Sequence, residues 1–436
     1  MRFAAFYRPQ KVKGIKLKHS AKTLKKDIPP APTNRPSPGV RAFEKIQYEL
    51  PLLIFILLLG IPHMKELPDM YYTMHIFDYR IGFAPRIFIG SLMALFTDYK
   101  SLAFMNRFFT IVFLIEAVLL AFAAGGIIRR AKGEEKETVI YFIALFFAIP
   151  HTACLPYSET LSLDRFLVII TVLALMALRL RGFRWLVPLF IVAGLATYHG
   201  FAFMYMPVIA LLLIYEALKD RNPPRSLILC IIGFITMAVF SAYFFLYSGV
   251  PGFNSVEDPI AWAADKTDMS ITGHAVKVVR FYLCSSPLDH LEYTIEEEFV
   301  QRRIGPDLAA AALLLPMFAC FWKIWITALK SVEKKAEKFI FLMCLLAPAA
   351  RIPMYFLSSD YFRFWMPVVA AQFFFLFYFT VAQDGAVLKG LGEAGRFFRK
   401  NFILFLAMLI FFAMTFLLSA KGQWWNSLPW RMGLDY

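Results

Sequence analysis

The chain has 436 residues, 59% of them hydrophobic and 17% aromatic, and a net charge of +15. A water-soluble fold of this length needs more polar surface than that, so the bilayer is the expected solvent. Nucleic acid is excluded as the reason for the charge: the first 45 residues alone supply +10, and most of the remaining basic residues sit in short loops between apolar runs, as at a membrane surface.

Those first 45 residues hold twelve Lys or Arg against Asp27 and Glu44. Pro29, Pro30, Pro32, Pro36 and Pro38 mark residues 26–40 as extended or disordered. No apolar segment precedes residue 51, so no cleavable secretory signal is expected. A basic tail beside a first span stays cytoplasmic. Apolar runs then predict spans at 51–61, 102–128, 138–150, 166–180, 186–198, 203–218, 227–247, 308–329, 339–357, 366–382 and 402–419. Residues 87–96 are too short to cross and belong in the interface or a re-entrant turn. The expected fold is all-α, a polytopic membrane domain of about 11 transmembrane helices over 46–420, with the amino terminus cytoplasmic and a short tail, 421–436, outside.

Charge supports this topology. Inner segments collect 31 Lys and Arg and outer ones 15, whereas acids favour the outside, 18 to 11. Inner loops read as simple connectors, but two outer segments are long, 64–100 and 248–307, so the working face is expected outside. Spans as short as 138–150 and 186–198 are expected to shelter a cavity. The five cysteines, without metal-ligand spacing, read as small apolar core residues.

Polar chemistry collects on the outer side. Six of seven histidines map there, among them His199 beside Tyr198 and Gly200, with no spacing that suggests a metal site. The first outer loop carries Asp69, His75, Asp78, Arg80 and Arg86. A carboxylate at the membrane surface can take a proton from an incoming hydroxyl, and paired guanidinium forks suit phosphate. Loop-fixing salt bridges are the plainer role for Asp78 and Arg80. Glu159, Asp164 and Arg165 follow the third span, and Asp360 and Arg363 precede the tenth; convergence on one face makes them candidate substrate contacts, with interfacial anchoring as the alternative. Glu116, alone within the second span, is expected to pair inside the bundle. Acids of the second long loop, including Asp265 and Asp268, read as a solvated face.

Eleven spans, an acid in the first outer loop at Asp69 or Asp78, the long 248–307 loop, and Arg363-Phe364-Trp365-Met366-Pro367 opening a late span together resemble the GT-C glycosyltransferases, which use polyprenyl-phosphate sugars. The resemblance implies that Asp78 or Asp69 is the base for the acceptor hydroxyl, and that Arg363 and Arg86 contact the lipid phosphate. The partners it implies are a polyprenyl-phosphate sugar donor, a glycan, lipid or protein acceptor, and membrane lipids, at the outer face of a bacterial plasma membrane. The loop reads Asp-Tyr-Arg in place of an Asp-x-Asp pair, so no cofactor is assigned and a divalent metal is optional. An envelope polysaccharide polymerase or ligase, and a lipid or solute transporter, are the alternatives; the lack of an inverted repeat weighs against the transporter.

Overall fold

The computed structural model describes residues 46–61, 69–149, 152–153, 162–220, 223–246, 250, 253, 255–285, 292, 299–352 and 365–415. The expected cytoplasmic tail and the outer tail 421–436 fall outside the described residues. Within them all regular structure is helical. The helices are α1 Glu49–Gly60, α2 Asp69–Ile76, α3 Phe88–Ala94, α4 Leu102–Arg130, α5 Gly133–Ala148, α6 Ser162–Arg179, α7 Val187–Thr197, α8 Phe201–Met204 and α9 Met206–Lys219. They continue with α10 Pro223–Leu246, α11 Glu257–Ala263, α12 His274–Val279, α13 Phe299–Ser331, α14 Lys335–Leu346, α15 Trp365–Ala382, α16 Gly385–Lys400 and α17 Phe402–Thr415.

Every apolar segment expected to span holds helix, but length separates them. Among the described residues α4, α10 and the 311–331 part of α13 are long and apolar enough to cross a membrane, and the bent pair α15–α16 makes a fourth if counted as one span. At 1.5 Å per residue the 12 residues of α1 reach only about 18 Å. Helix length and composition thus support three or four crossings, and the count of eleven belongs to the sequence pattern alone.

The longest apolar helix shows how local signals set the ends. Ser101 caps α4, its hydroxyl accepting from the Phe104 amide at 3.1 Å, and Arg129 and Arg130 in the last turn complement the helix dipole. Along α10 the side chains of Leu227, Ile228, Ile231, Ile235 and Val239 are exposed, and along α4 so are Ile111, Leu114, Ile115 and Val118. Polar Glu116, Arg165, Gln372 and Thr380 are buried. Apolar outside and polar inside is the distribution that hydrocarbon favours and water opposes.

Helix α15 lies at the centre of the packing, with residues 367–380 buried around its whole circumference. Phe373 meets Phe321 of α13 and Phe146 of α5 edge to face, with ring centroids 5.0 and 5.3 Å apart. Its one amide in the core is satisfied at both ends: Gln372 accepts from the Trp325 indole at 2.6 Å and donates to the Cys344 carbonyl at 2.9 Å.

After α15 the chain bends by 115° into the amphipathic α16. Gln383 takes a positive φ of 55° at the elbow and donates to the carbonyls of Arg130 (3.0 Å) and Thr380 (2.8 Å). Asp384 then caps α16 through the amides of Ala386 and Val387 and accepts from the Tyr215 hydroxyl at 2.8 Å. Close approach to α13 requires Gly390, where an added Cβ would lie 2.8 Å from the Ile324 carbonyl oxygen. Gly390→Val is expected to destabilise by roughly 1–3 kcal/mol through overpacking. Gly392→Ala, with open space at its Cβ, is expected to stabilise by about 0.5–1 kcal/mol; unfolding of the two variants in detergent compares them.

The helix ends read from sequence as plain inner connectors are cross-linked instead. Glu216 on α9 accepts from Arg179 (2.6 Å), Arg184 (2.6 Å) and the Tyr378 hydroxyl (2.7 Å), joining α6, α9 and α15. Arg184 also pairs with Asp220 at 2.7 Å, and Lys219 with Glu337 of α14 at 3.1 Å. Three donors on one carboxylate make a shared anchor that no single loop reveals in sequence.

Candidate active site

At the amino-terminal end of α4 the described parts of the two long segments expected outside, 64–100 and 248–307, pack into one polar layer. Residues 266–268 of the second clamp residues 100–102 of the first. The Lys100 amide donates to the Lys266 carbonyl (2.7 Å), the Thr267 hydroxyl to the Lys100 carbonyl (2.9 Å), and the Leu102 amide to Asp268 (2.8 Å). Asp268 therefore satisfies an orphan amide of the first turn of α4, where a solvated acid was expected. Phe77 stacks on Trp262 at 5.7 Å, and α12 packs on α2.

Asp78 stands at the cap of a short 3-10 turn, Tyr79–Ile81, and is buried. It accepts from the Arg80 amide (3.1 Å), from Arg80 Nε (2.8 Å) and Nη2 (2.7 Å), and from Lys100 Nζ (2.7 Å). The fully buried Lys100 also donates to the Ile76 carbonyl at 2.5 Å. Arg80 reaches out to Asp98 at 2.6 Å. Burial alone would raise the Asp78 pKa, but the bonds from Arg80 and Lys100 outweigh it and hold the group at about 2. Such a carboxylate is anionic at neutral pH and a weak proton acceptor. Burial and the Lys100 charge push nearby His75 down to about 3, so its ring is neutral; neither ring nitrogen has a hydrogen-bond partner among the described residues.

Arg86 has a different setting. It is 6% exposed and sits at a positive φ of 73° just before α3. Its amide donates to the Ala196 carbonyl at the end of α7 (2.9 Å), which ties the first outer loop to the 198–200 turn. The guanidinium lies 3.4 Å from the Tyr282 ring centroid and 4.5 Å from that of Tyr198. No carboxylate among the described residues pairs with it, and its Nε is buried without a hydrogen-bond acceptor. Two aromatic faces stabilise a desolvated cation but leave its in-plane N–H donors available to an oxyanion. A backbone held at positive φ by a non-glycine residue marks a position that the surroundings over-determine.

The other expected residues divide. His199 is half-buried, its ring 5.0 Å from Tyr198 and 5.5 Å from Phe245, so it belongs to the Arg86 neighbourhood. Asp164 and Arg165 are buried at the start of α6, where Arg165 meets Glu116 at 3.0 Å and lies over Phe113. That pair gives Glu116 the interior partner expected of it. Glu116 lies ten residues along α4 from Asn106, which bonds the Tyr72 hydroxyl, and so roughly 15 Å along the helix from the polar layer. Asp69 begins α2, with its side chain outside the described residues; Glu159, Asp360 and Arg363 lie outside them entirely. Among the described residues no group of three His, Cys, Asp or Glu could hold a metal ion.

Sequence reasoning missed Lys100, Tyr282 and the capping role of Asp268. Lys100 carries no signal in sequence, since a lysine ending an outer loop reads as solvated until its burial is seen. Among the described residues fold and site define an all-helical protein with membrane-length apolar helices and a layer of buried cations at one end of α4. No protein-family model, curated protein or solved structure matches it.

Proposed function

We propose that this chain is a multi-pass enzyme of the bacterial plasma membrane that transfers a sugar from a polyprenyl-phosphate-linked donor to a glycan, lipid or protein acceptor at the outer face. The observation that carries this reading is Arg86, a buried guanidinium without an acid partner among the described residues, between two tyrosines and beside His199. A leaving lipid phosphate gains negative charge as the glycosidic bond breaks, and a preorganised, desolvated cation stabilises that charge far better than a hydrated one. The exposed apolar faces of α4 and α10 suit the isoprenoid tail. In this proposal eleven spans form a GT-C-like bundle with the amino terminus inside, and Arg363 joins Arg86 on the phosphate.

The general base comes from Asp69 or Asp78. Two cations on Asp78 lower its basicity and suit it to holding the loop. That pairing also favours a second reading, a polymerase or ligase of polyprenyl-linked glycans in which arginines do most of the chemistry. Both use the same donor. Purified protein incubated with a polyprenyl-phosphate sugar and a glycan, lipid or protein acceptor should move the sugar to the acceptor and release free polyprenyl phosphate, followed by mass spectrometry. Folded protein that consumes no lipid-linked sugar with any of these acceptors would remove both readings.

A further inference from the structure

At the opposite end of α4 from this layer, a cavity of about 400 Å³ opens between α4, α5, α6 and α15. That volume falls within the range of about 300–1,000 Å³ usual for ligand sites. Phe146, Phe147 and Phe377 form its apolar wall, and the exposed side chains of Phe122 on α4 and Met176 on α6 stand at its edge. Among the described residues every charged side chain on the lining is an arginine: Arg129, Arg130 and Arg179. Arg129 pairs with Glu49 and Arg179 with Glu216, but neither acid faces the cavity. Arg130 donates to the Val381 carbonyl at 3.3 Å and is exposed.

We infer that this cavity binds one acyl chain of an anionic phospholipid, with the headgroup phosphate against Arg129 and Arg130. An apolar slot alone would take any chain; three arginines at its mouth, which keep further N–H donors beyond those on Glu49, Glu216 and the Val381 carbonyl, select a negative head. Basic pockets between membrane helices hold anionic headgroups by this charge match. Roughly 43 Å of helix separates the two ends of the 29-residue α4, so the site is distinct from the one that would hold a sugar donor. The bound lipid would join α4 to α15 beside the Gln383 elbow, where Arg130 already touches both the Gln383 amide and the Val381 carbonyl.

Gly126 supplies the test, because it lines the cavity and a Cβ there meets nothing within 4 Å. Full-length protein in detergent is titrated with dioleoyl phosphatidylglycerol, dioleoyl phosphatidylcholine or inorganic phosphate. Native mass spectrometry and thermal unfolding are the readouts. Phosphatidylglycerol is expected to give one retained adduct per chain and a raised melting temperature, with neither effect from the other two. Gly126→Leu should lose the adduct, and Arg130→Gln should weaken phosphatidylglycerol binding by roughly fivefold. Equal retention of the neutral lipid, the same shift with inorganic phosphate, or an adduct that survives Gly126→Leu would each overturn the assignment.

Discussion

Asp78→Asn is expected to lower the free energy of unfolding by about 3–5 kcal/mol, because it strands the fully buried Lys100 ammonium. The Arg80 contact contributes less, since its side chain is 45% exposed and also pairs with Asp98 on the surface. Lys100→Met in the same chain removes the stranded charge, so the double variant should recover most of the loss. Denaturant unfolding of wild type, both single variants and the double gives the coupling directly; a value under about 0.5 kcal/mol would show that the two groups act independently.

The pH dependence follows from the same contacts. A carboxylate held at about 2 by Arg80 and Lys100, against burial, contributes stability that is complete above its unfolded value near 4 and is lost as pH falls towards 2. The stability gap between wild type and Asp78→Asn should therefore close across that acid range and stay constant above it. The double variant also separates structure from chemistry. Folded but inactive in sugar transfer, it would keep Asp78 as the base; folded and active, it would leave Asp69 in that role.

Arg86→Gly is expected to cut kcat/KM for sugar transfer by about 100- to 1,000-fold, the usual loss when one preorganised charge stabiliser is removed. Stability should change little. Removal of the guanidinium abolishes its contacts with Tyr198 and Tyr282 but leaves no acid unpaired among the described residues, and glycine relieves the positive φ of 73°. Arg86→Lys keeps the charge without the planar fork and should restore only part of the rate. Full transfer activity in a folded Arg86→Gly protein would mean that the lipid phosphate is bound elsewhere.

Much of the helical framework was legible in the apolar runs. The expected spans at 102–128 and 227–247 became α4 and α10, and the segment too short to cross, 87–96, became the seven-residue α3. Chain pattern was less informative at 389–400. Read as an inner loop for its charge, that stretch forms the amphipathic α16, whose Gly390 and Leu391 pack inward while Arg396 and Arg399 face out to Glu134. Counting basic residues by side overlooks their helical periodicity, which is what orients them.

The candidate site was legible only as a set of residue types in outer segments. Asp78, Arg80 and Arg86 stood out because an acid and two arginines lie within nine residues of one another. Their division of labour was not visible: Asp78 spends its charge on Arg80 and Lys100, whereas Arg86 retains available donors between two rings. Arg165 illustrates the same point, since a residue at the end of an expected span pairs with Glu116 inside the bundle.

Composition and hydropathy by themselves determined that this chain is helical, places apolar surface outward and concentrates ionisable groups in a few segments, because the hydrocarbon solvent acts on each residue separately and leaves its mark locally. Tertiary structure alone decided which of those groups neutralise one another. Ion pairing depends on distances of a few ångströms between residues remote in sequence, such as Asp78 with Lys100 or Arg86 with Tyr282, and desolvation turns those distances into the difference between a structural anchor and an available charge.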